Sequence, residues 1–368
     1  MSDISQQSIK QTQEKIEEIK EEIRKTPYHK GTEHYIGRLR AKISRLKDKE
    51  IESSIKKSGG GGGGYAVKKH GDATVVLIGP PSVGKSTLIN KLTNTKSKVA
   101  EYAFTTLGVI PGMLFYKDAY IQIFDVPGII AGAKSGKGRG KEVISVARNA
   151  DLLIIMCDVN TPLLFGQITE DLYGAGMRIN TNKPAIHIDK KISGGVIIHS
   201  NIKQELKPET ISEIVSEMGI KNAEISLKEK YSIDSLIDAF SINRAYIPAI
   251  LVVNKIDTNR KLNTNNNNGD IIYISADKGI GLNELKEKIW EKLDFIRVYL
   301  VKPSEEPSFN NPIVAKSGQT LKDIAKNISE EFLESKSAAK IWGVSARFPG
   351  QEVSLSTPAL EGMQVRFV

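Results

Sequence analysis

The sequence predicts an α/β fold: a mostly parallel sheet carrying a phosphate-binding loop (P-loop), preceded by a helical hairpin, interrupted by an α+β insertion and followed by a small β-grasp tail. Three observations carry the prediction. Gly79-Pro80-Pro81-Ser82-Val83-Gly84-Lys85-Ser86 fits G-x-x-x-x-G-K-[ST] and stands between a strand-like apolar run, 74–78, and a helix-like run, 86–92. Apolar runs at 112–116, 120–125, 152–158, 249–254 and 270–274 read as further strands. Between Val159 and Ala249 lie 89 residues, 160–248, where a crossover helix needs far fewer, so an inserted subdomain is expected.

Residues 1–65 are expected to form the hairpin and a linker. Ile9, Ile16, Ile19 and Ile23 recur at helical spacing, Thr26-Pro27 and Gly31 break the pattern, and Ile36, Leu39, Ile43 and Leu46 start a second apolar stripe. The polar face carries Lys42, Arg45, Lys47 and Lys49; the hairpin either packs on the sheet domain or faces RNA. Gly59–Gly64 reads as a flexible linker, the favoured alternative, or as a close-packed backbone approach. The sheet domain spans 66–165 and 245–296 and closes with a helix over 281–293. The insertion, 166–244, is expected to pair 185–189 with 195–200 as a hairpin and to hold helices over 208–218 and 233–240. It shows no catalytic constellation, and a structural or docking role is expected of it. Residues 263–269 are rich in asparagine and read as a loop. In the tail, 297–368, a strand over 296–301, a helix over 320–328 and strands over 353–355 and 364–368 suit a β-grasp unit with Trp342 in its core.

The loop residues set the chemistry. Gly79, Pro80, Pro81, Ser82, Val83 and Gly84 bring successive backbone N–H groups to the head of a helix, where the dipole also favours anions. Lys85 adds a full positive charge for the β- and γ-phosphates, and Ser86, with Thr87 beside it, offers a hydroxyl suited to Mg²⁺. Asp125 ends the run 120–124, and a carboxylate there holds Mg²⁺ through water; Gly128, three residues on, offers an N–H to the γ-phosphate. Asn254-Lys255-Ile256-Asp257 follows the run 249–253 and names the base. Guanine presents N1–H and N2–H₂ side by side, and the Asp257 carboxylate accepts both. Asn254 contacts the N7 side and ties the loops together, and the Lys255 stem covers one face of the ring. Ser275-Ala276 either places a backbone N–H at guanine O6 or is a solvated loop. Between the P-loop and Asp125, a threonine closes over Mg²⁺ and the γ-phosphate; Thr106 is favoured, with Thr105 second. Lys85, Thr106 and Gly128 are thus the catalytic candidates, and Ser86, Thr106 and Asp125 the metal-binding ones. Ile129 stands where a water-orienting glutamine would be expected. Residues 128–141 carry five glycines and four basic side chains, Lys134, Lys137, Arg139 and Lys141; this segment is either a solvated loop or a switch that orders on a partner protein or RNA.

Together these residues resemble the Obg-like GTPases and, within them, the developmentally regulated GTP-binding (Drg) family. The resemblance includes Gly59–Gly64, Gly-Asp-Ala at 71–73, Phe-Thr-Thr-Leu at 104–107, Gly-Lys-Gly-Arg-Gly-Lys at 136–141 and Val-Ala-Arg-Asn-Ala-Asp at 146–151, and runs through the tail. It implies a P-loop GTPase domain, a helical N-terminus, an insert, a C-terminal TGS module of β-grasp fold, GTP hydrolysis to GDP and ribosome association. Ser82 stands where some related GTPases carry an asparagine that helps bind a stimulating K⁺, and this departure argues against K⁺ dependence.

Composition narrows the class. A length of 368 residues allows two to three domains, and 40% apolar content suits ordinary cores. The single cysteine, Cys157, excludes an internal disulfide and any Cys-rich metal site, and the histidines show no ligand spacing. No signal peptide or membrane-length apolar run is seen, so a cytoplasmic protein without a membrane partner is expected. The net charge of +9 favours an anionic partner, and residues 1–70 hold 16 Lys and Arg against 10 Asp and Glu. Two functional readings follow. One is a slow, Mg²⁺-dependent GTPase switch on ribosomes or translation factors, stimulated by the ribosome, its RNA or a regulatory partner protein. The other is a ribosome- or RNA-binding scaffold that uses GTP for conformation with negligible turnover. Asp257 disfavours an ATPase.

Overall fold

The computed structural model describes residues 2–57, 71–93, 110–126, 139–161, 164–258 and 271–368. Helices Ser2–Lys25 (α1) and Glu33–Lys57 (α2) come first, then Ala73–Ile78 (β1), Lys85–Leu92 (α3), Ile110–Tyr116 (β2), Ala119–Asp125 (β3), Arg139–Arg148 (α4), Leu152–Asp158 (β4) and Leu164–Gly174 (α5). The insertion follows with Met177–Ile179 (β5), Ile186–Lys190 (β6), Val196–Ser200 (β7), Pro208–Glu217 (α6), Ala223–Leu227 (β8), Ile233–Phe240 (α7) and Ala245–Ile247 (β9). The chain then completes its main sheet with Ala249–Asn254 (β10), Ile271–Tyr273 (β11) and Leu282–Lys292 (α8). The tail holds Phe295–Leu300 (β12), Pro312–Lys316 (β13), Leu321–Ile328 (α9), Glu330–Glu334 (α10), Ala338–Trp342 (β14), Gln351–Ser354 (β15) and Gln364–Phe367 (β16).

Every residue of β1 is buried, as a strand covered on both faces must be. The six-stranded sheet has the order β11-β10-β4-β1-β3-β2. Its neighbours run parallel except β2 and β3. Those two are joined through Lys117 and Asp118, both at positive φ (48° and 69°), the conformation of a two-residue hairpin turn. Leu88, Ile89 and Leu92 of α3 and Leu285 and Ile289 of α8 pack with Val75, Leu77, Ile121, Ile123, Ile154 and Val252 into one core. The register sets Leu77 against Asp125 and Asp158 against Asn254, so the candidate side chains gather at the C-terminal ends of β3, β4 and β10. In open parallel sheets that edge is where ligands bind.

Contacts divide the chain into two units, one of residues 1–64 with 176–246 and one of 65–175 with 247–368. In the first, α2 lies against α6 and α7 of the insertion. Ile36, Leu39 and Ala41 are buried on α2, and Ala41 joins the core formed by Ile211, Ile214, Val215, Ile225 and Leu236. The hairpin expected from 185–189 and 195–200 does not form. The sheet order is β6-β8-β7, with β8 antiparallel to β6 and parallel to β7. The cause is β8, which the sequence reading passes over. It buries Ala223, Ile225 and Leu227 on one face and takes the central place, while α6 makes the crossover from β7. Asn222 holds the 191–195 turn, accepting from the Gly195 N–H at 2.9 Å and donating to the Ile192 carbonyl at 3.0 Å.

The tail forms a five-stranded sheet, β13-β12-β16-β14-β15. Helix α9 starts at a capping box between Thr320 and Asp323 and packs Leu321 and Ile324 under the sheet. Trp342 is half-buried rather than a core residue, with the Arg366 guanidinium 5.2 Å over its ring. No helix among the described residues is long and apolar enough to cross a membrane.

Candidate nucleotide site

Strand β1 ends at Ile78, and the chain turns through Gly79–Gly84 into α3. Two glycines are required by contact. A Cβ at Gly79 would lie 2.3 Å from the Met156 carbonyl oxygen of β4, and one at Gly84, whose φ is 97°, would lie 2.4 Å from Asn254 Nδ2. Lys85 is 8% exposed, and its ammonium donates to the Gly79 and Pro80 carbonyls at 3.0 and 2.9 Å. Burial pushes its pKa below the ordinary lysine value, and Asp125 partly opposes this. A polyanion at the loop would favour the charged form again.

Ser86 Oγ donates to Asp125 Oδ2 at 2.6 Å. The other carboxylate oxygen, Asp125 Oδ1, is buried without a hydrogen-bond partner. A buried carboxylate oxygen without a donor, beside a hydroxyl at the head of a phosphate loop, suits a hard cation or its water.

Asn254 is 3% exposed and joins three segments. Its Nδ2 donates to the Val83 carbonyl of the P-loop at 2.8 Å, and its Oδ1 accepts from the Ala276 N–H at 2.9 Å. The amide keeps a second hydrogen for a ligand. Lys255, at a positive φ of 65°, donates to the Ser82 carbonyl at 2.7 Å and reaches Asp158 Oδ2 at 3.4 Å. Asp158 has no part in the sequence reading. Burial works against its charge, but hydrogen bonds from the Thr161 hydroxyl and the Asn160 N–H, with the Lys255 ammonium, hold its pKa below the usual carboxylate value. A lone aspartate at a strand end carries no pattern; only the register that sets it against Asn254 exposes its place.

Asp257 is exposed, and the neighbouring Ser275 hydroxyl holds its carboxyl below the usual value, with Lys278 adding to the effect. The amides of Ser275 and Ala276 were expected to offer an N–H to guanine O6. Here Ser275 N–H donates to the Ile280 carbonyl at 3.1 Å and Ala276 N–H to Asn254, so neither stands open. Thr106, Thr105, Gly128, Ile129 and Lys134–Lys137 lie outside the described residues, as do Gly59–Gly64 and 263–269, whereas Arg139 and Lys141, expected in a loop, belong to the first turn of α4. The structure thus brings together Gly79 to Thr87 with Asp125, and ties Asn254, Lys255 and Ala276 to the same loop.

Residues 74–191 match the family described as a 50S ribosome-binding GTPase, 193–295 match the C-terminal region of that GTPase domain, and 296–368 match the TGS domain. An uncharacterized GTP-binding protein of Methanocaldococcus jannaschii is 43% identical over 358 residues, covering 95% of this chain and 91% of its own length. Ribosome-interacting GTPase 1 of Saccharomyces cerevisiae is 40% identical over 352 residues, covering 94% and 95%. The developmentally-regulated GTP-binding protein 2 homolog of Dictyostelium discoideum is 38% identical over 347 residues, covering 93% and 95%. The chain belongs to the developmentally regulated GTP-binding (Drg) family. Among solved structures, the YchF GTPase of Schizosaccharomyces pombe aligns with 82% of this chain and 99% of its own, at 15% identity and a TM-score of 0.43.

For a Drg-family GTPase domain the residues present fit Mg²⁺. Ser86 Oγ and the unpartnered Asp125 Oδ1 are hard oxygen donors, and Mg²⁺ takes few protein ligands beside phosphate and water. When bound, the ion would neutralise charge on the phosphates. Lys85 would exchange its two carbonyl partners for phosphate oxygens, and the Asn254 bond to Val83 would keep base and phosphate loops in step.

Proposed function

We propose that this chain binds GTP with Mg²⁺, hydrolyses it slowly to GDP and phosphate, and works as a switch on ribosomes or translation factors. The observation that supports this reading most is Asn254, one buried side chain bonded both to the P-loop and to the loop carrying Ser275-Ala276. It makes a single site of a phosphate cradle and a guanine reader. Lys85 and Gly84 would position the β- and γ-phosphates, Ser86 and Asp125 the ion, and Asp257 the base. Thr106 and the Gly128 N–H would close on the γ-phosphate. Slow turnover follows from Ile129, a side chain with no group to orient water. The ribosomal target is supported by the yeast relative named as a ribosome-interacting GTPase.

Single-turnover hydrolysis of GTP, with and without ribosomes, tests the reading. The expected result is a low basal rate that rises when ribosomes are added. Tight GTP binding with no hydrolysis under either condition would instead favour a scaffold that uses GTP only for conformation. No GTP binding at all would reject the site.

A further inference from the structure

The chain is basic overall, but one groove on its insertion is acidic. Strand β7 is an outer strand of the three-stranded sheet. Ala223 N–H donates to the Gly195 carbonyl at 3.0 Å, and Val196 stands in register with Ala223. In a parallel ladder alternate residues of a strand bond the same neighbour. Gly195, Ile197 and His199 therefore face β8, while Val196 and Ile198 direct their N–H and C=O groups away from it, toward the open edge. An edge of unpaired backbone groups is a template for another strand.

Helix α6 runs along this edge and presents Glu209, Glu213 and Glu217, spaced four apart and so on one face. Together with Val196 and Ile198 they line the groove, and Arg38 of α2 is the single cationic side chain among the described lining residues. Glu213 Oε2 is buried there with no hydrogen-bond partner. A buried carboxylate oxygen without a donor is costly, and a cationic group entering the groove would relieve it. Three carboxylates beside an open edge would repel nucleic acid and acidic peptides alike.

We propose that this groove docks an extended basic segment of a protein partner. The segment adds as a further strand on β7, its lysine or arginine side chains on the α6 face meeting Glu209, Glu213 and Glu217, its apolar side chains on the opposite face beside the exposed Ile197. Backbone pairing supplies strand geometry, and the α6 carboxylates select the sign of charge. The surface is formed by the insertion and Arg38 of α2, and none of its lining residues belongs to the nucleotide site.

The test uses the full chain and a fluorescein-labelled heptapeptide alternating lysine with valine, followed by anisotropy. Binding is expected. It should weaken about tenfold or more in the Glu209→Gln, Glu213→Gln, Glu217→Gln triple variant, whose thermal midpoint should match the parent. N-methylation of alternate peptide amides, which removes the strand hydrogen bonds but no charge, should weaken it comparably. Lys85→Ala should leave it unchanged. Equal binding of the N-methylated peptide would reduce the effect to charge adsorption and overturn strand addition. Unchanged binding in the triple variant would overturn the α6 contact. Displacement of the peptide by oligouridine, lost in the triple variant, would make RNA the occupant and overturn the proposal.

Discussion

Asp257 is exposed to solvent with its carboxyl held in the charged form by Ser275, so its negative charge is available to a base without further rearrangement. Guanine offers it two adjacent donors, and hydrogen bonds to a charged acceptor contribute roughly 1.5–3 kcal/mol each. Asp257→Asn is therefore expected to weaken GTP binding by about one to a few powers of ten. It should strengthen binding of xanthosine triphosphate, whose extra carbonyl suits an amide donor. Competition between labelled GTP and the two unlabelled nucleotides checks this, and equal affinity of the unaltered chain for ATP and GTP would overturn the base assignment. At this scale the sequence was most legible where chemistry fixes both residue type and spacing. The phosphate-loop pattern puts a glycine where φ is positive, as at Gly84, and a lysine next to it, and both are where the pattern sets them. Asp158 was illegible for the opposite reason. Its role depends on the neighbouring strand, which sets it against Asn254 and places Lys255 within reach. Neither alternative offered for Ser275-Ala276 matches the structure, which pairs both N–H groups and buries both residues, because a two-residue pattern does not reveal which N–H groups the fold has already paired.

At the scale of elements, long and strongly patterned runs were read well. β1, β4 and β10 are apolar along their length, and α9 has a capping residue followed by a periodic stripe. The insertion was read less well because its strands are only five residues long and pairing is decided by the sheet. β6 and β7 are close in sequence, yet β8 separates them. Helices α2 and α7 and strands β5 and β9 meet over a charged core that no periodicity announces. Arg178 donates twice to Asp238, Arg244 Nε donates to Asp238 Oδ1 at 2.7 Å, and Arg244 Nη2 donates to Ser44 Oγ of α2 at 2.7 Å. Arg178, Asp238 and Arg244 are all nearly buried, with side chains 6%, 10% and 8% exposed. Asp48 Oδ1 stands 3.6 Å from Arg244 Nη1, so Arg244 keeps a counter-charge when the shared carboxylate is removed, but Arg178 loses both bonds to it in a dry site, and breaking a buried pair in this way costs about 3–5 kcal/mol. Asp238→Asn is expected to destabilise the insertion and the hairpin together by that order. Urea denaturation read through hydrogen exchange of α2 and α7 amides measures it. A loss of under about 1 kcal/mol would show that the cluster is solvated and contributes as surface pairs do.

At the scale of the molecule, the chain interleaves its units in sequence: 1–64 pairs with 176–246, and 65–175 with 247–368. The insertion leaves and returns through β5 and β9, which pair as a two-stranded sheet, and Ala245 N–H donates to the Gly176 carbonyl at 3.1 Å. Closing the two ends together lets a subdomain of this length enter a loop of the sheet domain at little entropic cost. Charge is the other property of the whole. A net +9 with a basic hairpin face, on which Lys42, Arg45 and Lys49 are exposed, favours an anionic surface, and the four basic residues of 134–141 add to it. If ribosomal RNA is that surface, each phosphate contact releases counterions and the log–log salt slope is roughly −0.7 to −0.9 per contact. Replacing Lys134, Lys137, Arg139 and Lys141 by glutamine should then flatten the slope by up to about three units, while the thermal midpoint stays near that of the parent. Co-sedimentation with ribosomes over a salt series, for the parent, this variant and a chain ending before Arg297, separates the contributions of 134–141 and the tail. A slope unchanged by the quadruple substitution would leave the charges of 134–141 merely solvated. Binding that does not respond to salt at all would move the ribosomal contact from RNA to protein, because protein surfaces hold no condensed counterion layer to release.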